Sequence, residues 1–208
     1  MDLNLLIDQT LLKPTATEAD IKQLCTEAKK FKFWSVCVNP VWVKLARKQG
    51  VRVCSVVGFP LGANTLAIKI AEARQVIKDG ASEIDAVMNL GWLKMGQVKD
   101  LQHGLQSFVT ACRGKIVKII IETCYLTDKE KVMAAKLVKQ SGADFVKTST
   151  GFGSAGATVE DVRLLRKAVG PDFGVKASGG IKTREQAEAM VAAGANRLGT
   201  SAGVAICL

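Results

Sequence analysis

Apolar residues recur along the chain in two alternating rhythms. In one, Ile21, Leu24, Cys25 and Ala28, and again Val162, Leu165 and Val169, fall on a single helical face. The other is a short β-rich run, found at Leu6–Asp8, Trp34–Val38, Arg52–Val57, Glu83–Met88, Val117–Ile121, Phe145–Lys147, Phe173–Lys176 and Arg197–Gly199. Gly50-Val51, Gly80-Ala81, Gly142-Ala143 and Gly194-Ala195 each precede such a run, and glycine there supplies the left-handed residue that stops a helix. Helix starts are marked by Thr127-x-x-Glu130 and Thr183-x-x-Gln186, which have capping-box spacing, and by the acidic versions Thr17-x-x-Asp20 and Thr158-x-x-Asp161.

Strands alternating with helices predict parallel pairing through right-handed crossovers. Eight such units predict an α/β fold, a (β/α)8 TIM barrel formed as a single domain over residues 1–208, near the lower end of the usual size. A doubly wound open sheet is the alternative.

Composition agrees with an ordinary globular protein, at 48% hydrophobic and 23% charged residues. No apolar run reaches the roughly 18 residues of a membrane span, and the segment Met1–Asp8 lacks a basic leader region. The cysteines, 25, 37, 54, 112, 124 and 207, form no Cys-x-x-Cys and read as free thiols of a reducing cytoplasm. The net charge of +10 raises nucleic-acid binding as a class. Yet the lysines are dispersed (Lys22, Lys29, Lys30, Lys32; Lys129, Lys131, Lys136, Lys139), and aromatics make up only 5%. A basic surface that draws in anionic small molecules accounts for the charge as well. The single histidine, His103, sits in a helical pattern and reads as a helix-surface residue, which argues against a zinc site or a Ser-His-Asp triad. No metal and no cofactor is expected.

A barrel places its chemistry at the carboxyl ends of its strands. The polar residues there are Asp8, Asn39, Asp85, Asn89, Lys118, Glu122, Lys147, Ser149, Lys176, Ser178 and Ser201. Lys118, Lys147 and Lys176 lie within β runs, where any one alone would read as an edge residue or a buried ion pair. Two neighbouring lysines with a carboxylate such as Asp85 suit something more specific: one ammonium favours the neutral, nucleophilic amine of the other, which can form a Schiff base with a carbonyl. Ser178-Gly179-Gly180-Ile181 and Gly199-Thr200-Ser201-Ala202 follow the seventh and eighth runs, where barrel enzymes often hold phosphate on backbone N–H groups; tight turns would use glycine there too. Gly151-Phe152-Gly153-Ser154-Ala155-Gly156 matches the dinucleotide pattern, but the next helix starts at Thr158, and Gly174-Val175-Lys176 occupies the place of the acidic ribose partner. A flexible active-site loop is the reading adopted.

Ile7–Pro14, Val36–Pro40, Val57–Gly62, Glu83–Asp85, Phe145–Phe152, Val175–Ile181 and Arg197–Ser201 together resemble the deoxyribose-phosphate aldolase family, in the family's order and almost from end to end. The resemblance implies reversible, cofactor-free cleavage of 2-deoxy-D-ribose 5-phosphate to acetaldehyde and D-glyceraldehyde 3-phosphate on a (β/α)8 barrel. It implies Lys147 as the Schiff-base nucleophile, Lys176 as the lysine that activates it, and Asp85 as the acid/base partner. Thr150, Gly151, Gly179, Gly180, Ser201 and the backbone at Ala202 would hold the phosphate, and Asp8 and Thr10 would line the sugar site. The partners implied are a phosphorylated sugar and an aldehyde, with no nucleic acid and no membrane; a homodimer is common in the family.

The sequence departs from the family at Gln9, where many members have His, and at Ala202, where a second Ser is common. The residues end at Cys207-Leu208 without the tyrosine-ended tail of some members, and Tyr125 is no obvious substitute. Cys37 is expected near the barrel mouth, either as a buried apolar thiol or, with Lys147 or Lys176 favouring its thiolate, as a nucleophile toward unsaturated aldehydes. A phosphate-binding barrel with another activity, such as an isomerase, and a basic nucleic-acid-binding protein are the competing readings.

Overall fold

The computed structural model describes residues 2–208. Its strands are β1 (Ile7–Leu11), β2 (Ser35–Val38), β3 (Val53–Val57), β4 (Glu83–Val87), β5 (Ile116–Ile120), β6 (Phe145–Lys147), β7 (Gly174–Ser178) and β8 (Arg197–Thr200). They pair in chain order, all parallel, and β8 returns to β1 to close the barrel. The helices are α1 (Glu18–Phe31), α2 (Val43–Lys48), α3 (Leu66–Asp79), α4 (Leu90–Lys94), α5 (Val98–Ala111), α6 (Asp128–Gln140), α7 (Val159–Val169), α8 (Arg184–Ala192) and α9 (Gly203–Cys207). This is the (β/α)8 barrel expected, and the open sheet is excluded by the β1–β8 pairing. Among the described residues no helix is long and apolar enough to cross a membrane.

Period-two alternation sorts the strand side chains into two environments. Ile7, Val36, Ile84, Ile119, Val146, Val175 and Leu198 face the helices and form the main core with the apolar faces of α1, α5, α6 and α7. The residues between them point into the lumen: Asp8, Cys37, Cys54, Asp85, Lys118, Lys147 and Lys176 are all buried there. A parallel barrel strand is covered on both sides, so its charged residues are lumenal rather than solvated.

The helix signals are realised physically. Thr17 with Asp20, Thr127 with Glu130 and Thr183 with Gln186 form reciprocal capping boxes. At α7 the exchange is one-sided: Thr158 accepts the Asp161 N–H, while the Asp161 carboxylate pairs with Lys131 at 2.6 Å. β1 runs three residues past the expected Leu6–Asp8 segment, to Leu11, because Thr10 and Leu11 continue the ladder against Cys37 and Val38. His103 is exposed on α5, as expected.

Candidate active site

Asp85 on β4 is the centre of the lumen. Its Oδ2 accepts from Lys147 Nζ and from Lys176 Nζ, each at 2.7 Å, and its Oδ1 accepts from Lys118 Nζ at 2.9 Å and from the Cys54 thiol at 3.1 Å. Three ammoniums thus share one carboxylate. A second carboxylate, Asp8 on β1, pairs with Lys176, Lys118 and Arg197 and accepts from Ser35 Oγ. A third, Glu83, pairs with Lys118 at 2.7 Å and Arg197 at 2.9 Å and accepts from the Trp34 indole N–H. Four cations and three carboxylates are enclosed together, so the cluster carries one surplus positive charge when every group is ionised.

Glycine makes room for this arrangement. A Cβ on Gly199 would lie 3.0 Å from Lys176 Cε and 2.9 Å from Ser178 Cβ, so a side chain on β8 would obstruct the lysine's path across the lumen. Burial would raise the Asp85 carboxyl, but Lys118, Lys147 and Lys176 outweigh it and hold the group well below the usual carboxylate range. Burial would lower Lys176, yet Asp8 and Asp85 more than offset it, and the ammonium is raised.

Above the cluster opens a cavity of about 280 Å3, with Lys147 as the one member of the triple on its wall. The loops after β6, β7 and β8 supply Thr150, Gly151, Gly179, Gly180 and Ser201, Thr10 comes from β1, and Lys13 and Lys182 stand at the rim. Those loops are tied together. Glu122, buried and in a left-handed conformation (φ +49), accepts from the Thr150 N–H at 3.1 Å and from the Thr150 hydroxyl. Ala157 N–H reaches the carbonyls of Ser178 and Gly179. The segment read as a flexible glycine loop is therefore fastened at both ends. Its glycines serve close packing: a Cβ on Gly156 would sit 2.2 Å from the Gly179 carbonyl oxygen.

Several residues stand elsewhere than the sequence suggested. Asp8, expected at a sugar site, is not on the wall of this cavity; it lies fully buried among Lys176, Arg197 and Ser35, where it anchors Lys176. The Ala202 N–H, expected to face phosphate, donates to Thr200 Oγ1 at 2.9 Å. Gln9 points outward, accepting from Gly203 N–H and donating to Glu27, each at 3.0 Å, so this departure from the family never reaches the lumen. Tyr125 is half-exposed after β5 and is not on the cavity wall. Cys37 is fully buried beside Leu12, Cys54 and Val56.

The scattered cysteines also converge more than their spacing suggested. Cys37, Cys54 and Asp85 bring their ligand atoms within 4.8 Å of one another, from neighbouring strands. The three ammoniums already on Asp85 or beside it oppose a dication there. Lys118, Glu83 and Arg197 carry the network but received no role from the sequence. For Lys118 the available signal was a charged residue flanked on both sides by apolar residues, Val117-Lys118-Ile119; Glu83 and Arg197, which follow Ser82 and Asn196 at the starts of their strands, carry no such signal.

Residues 3–208 match the DeoC/LacD family aldolase description. The chain belongs to this family. It is 54% identical over 213 residues to the deoxyribose-phosphate aldolase of Thermoanaerobacter sp. strain X514, covering 99% of this chain and 96% of the relative. The solved structure described as "QR15, an Aldolase" superposes with a TM-score of 0.96 at 40% identity, over 100% of this chain and 95% of that one. The deoxyribose phosphate aldolase of Aeropyrum pernix, described as a unique tetrameric structure, gives 0.91 at 38% identity, over 99% and 89%. This aldolase is thus alike in sequence and fold to relatives over 89–96% of their length.

Proposed function

We propose that this aldolase, acting as a single (β/α)8 domain over residues 1–208, reversibly cleaves 2-deoxy-D-ribose 5-phosphate to acetaldehyde and D-glyceraldehyde 3-phosphate through a Schiff base on Lys147. The observation that carries the mechanism is the single oxygen, Asp85 Oδ2, shared by the Lys147 and Lys176 ammoniums, with Lys147 alone open to the cavity. Lys176, kept charged by Asp8 and Asp85, stands as a fixed cation beside the nucleophile. Lys147 Nζ adds to the C1 aldehyde of the open-chain sugar, and loss of water gives the iminium. Removal of the C3 hydroxyl proton then breaks the C2–C3 bond: D-glyceraldehyde 3-phosphate leaves, and the bond's electron pair is held as an enamine on Lys147. Protonation at C2 and addition of water release acetaldehyde and restore the amine. The depressed carboxyl of Asp85 supports a positioning role more than proton storage, and the raised ammonium of Lys176 supports a fixed charge, so water reaching Lys147 through the cavity is the proton carrier in this reading. The glycine loops after β6 and β7, with Ser201 and the rim cations Lys13 and Lys182, fit the phosphate end.

Incubation with acetaldehyde followed by borohydride reduction and peptide mapping tests the assignment. A reduced two-carbon adduct on Lys147 is expected, and Lys147→Ala should lose both adduct and turnover. Turnover without an adduct, or an adduct confined to another lysine, overturns it. The cytoplasm is the compartment this reading implies, in keeping with free thiols at all six cysteines. A homodimer is the proposed assembly; light scattering on the purified protein would distinguish it from a monomer or a tetramer.

A further inference from the structure

A second cavity, of about 550 Å3, lies outside the lumen, between the outer face of β4 and β5 and the helices α3, α4 and α5. That volume is within the range of small-molecule sites. Its wall is largely apolar, with Trp92, Leu105, Phe108 and Ile119 prominent. The one charged residue on it is Lys69 of α3, which is only 7% exposed.

Lys69 lacks a counter-ion. Its Nζ donates to the carbonyls of Gly62 (2.6 Å) and Val87 (2.7 Å), and among the described residues no carboxylate forms a salt bridge with it. The carboxylate one turn further along α3, Glu72, is occupied by the Gly58 N–H at 2.7 Å. An ammonium has three N–H donors, so one remains without a protein acceptor. Buried cations are ordinarily paired, and an unpaired one is costly. Burial pushes this ammonium down to about 8, as befits a cation with no anion beside it.

We propose that this cavity is a second, non-catalytic binding site for a small amphiphilic carboxylate, whose apolar body lies against Trp92, Leu105 and Phe108 and whose carboxylate pairs with Lys69. A single cation with one spare donor suits a monocarboxylate. The glycine loops and multiple cations that receive a phosphate at the catalytic cavity have no counterpart on this wall.

Calorimetric titration of the purified aldolase with octanoate, hydrocinnamate and octanol tests the site; the two acids distinguish an aliphatic from an aromatic source, and octanol lacks the charge. Octanoate or hydrocinnamate should bind once per chain, and octanol about tenfold more weakly than octanoate, a difference in keeping with one charge-assisted bond. Lys69→Met should reduce octanoate to the affinity of octanol. Because Lys69 also ties the loop after β3 to the end of β4, that variant could misfold, and Gly104→Leu provides an independent arm. Gly104 lies on the cavity wall in α5, where an added Cβ would meet the Trp92 ring at an ordinary 3.6 Å, so the larger side chain fills the cavity. This variant should lose acid binding while keeping wild-type aldolase turnover. Equal affinity for octanol and octanoate, unchanged binding in folded Gly104→Leu, or no binding of either acid at millimolar concentration would overturn the proposal.

Discussion

Lys118, Lys147 and Lys176 are the same side chain in different company. Lys118 meets Asp8 at 3.9 Å, Glu83 at 2.7 Å and Asp85 at 2.9 Å; Lys176 meets Asp8 and Asp85; Lys147 meets Asp85 alone. Burial would depress the first two, but their carboxylates prevail and both are raised, so they stay charged at neutral pH. Lys176→Leu deletes the fixed charge beside Lys147, the proposed nucleophile, and leaves Asp8 with Arg197 and Asp85 with Lys118. The variant should fold, with activity lower at neutral pH and the kcat/KM profile moved toward higher pH. An unshifted profile in a folded variant would remove Lys176 from the mechanism. Three lysines inside β runs were legible in the sequence; their ranking was not, because it depends on Asp8 and Glu83, which meet them only when the barrel closes. Cys37 is similar. The neighbouring Cys54 thiol group holds the Cys37 thiol below the ordinary range against burial and Asp85, with Lys176 and Lys147 acting in the same direction as Cys54. Prolonged exposure to concentrated acetaldehyde should therefore inactivate the enzyme, and Cys37→Met should slow that loss with little change in initial rate; equal decay of both proteins would leave Cys37 as packing.

At the scale of elements, the site depends on how the loops after β5, β6 and β7 lean on one another. Glu122 fastens Thr150, and the backbone of Gly156 rests on that of Gly179. Gly156→Ala would put a methyl group 2.2 Å from the Gly179 carbonyl oxygen, which forces the β6 and β7 loops apart. Both loops line the cavity, through Gly151 and Gly180, at the end proposed for the phosphate. KM for deoxyribose 5-phosphate should rise more than KM for unphosphorylated deoxyribose, with kcat affected less, and parallel changes for the two substrates would speak against phosphate recognition by these loops. Strand and helix order could be read from periodicity and caps because those signals are local. The ties between loops could not, since Gly156 and Gly179 are distant in sequence and a glycine needed for contact is indistinguishable there from one needed for a turn. The end of β1 was missed for a related reason: Asp8 and Thr10 face a polar lumen, so the strand continues where its hydrophobic signal stops.

Across the whole molecule the ion network proposed to support the chemistry also joins the strands. Asp8 on β1 reaches Lys118 on β5, Lys176 on β7 and Arg197 on β8, so one carboxylate spans the seam where the barrel closes. Burial would raise its carboxyl, but Lys176, Lys118 and Arg197 outweigh burial and lower it from 3.8 to about 2. The unfolded chain therefore binds this proton more tightly than the native one. The resulting stability is fully present above the unfolded value of 3.8 and is lost as pH falls toward about 2. That shift corresponds to about 2 kcal/mol, and Asp85, held down by the same ammoniums, acts in the same direction. Asp8→Asn should cost about 3–5 kcal/mol at neutral pH, because it leaves Lys176 and Arg197 short of a buried anion. It should also make the dependence on acid shallower, since the titrating group is gone. Urea unfolding followed from neutral pH down to the lowest pH at which the wild type still folds would measure both effects. Wild-type and variant curves that run parallel between pH 4 and pH 3 would show that Asp8 holds the seam by shape and hydrogen bonding alone, with its charge contributing nothing to the closure of the barrel.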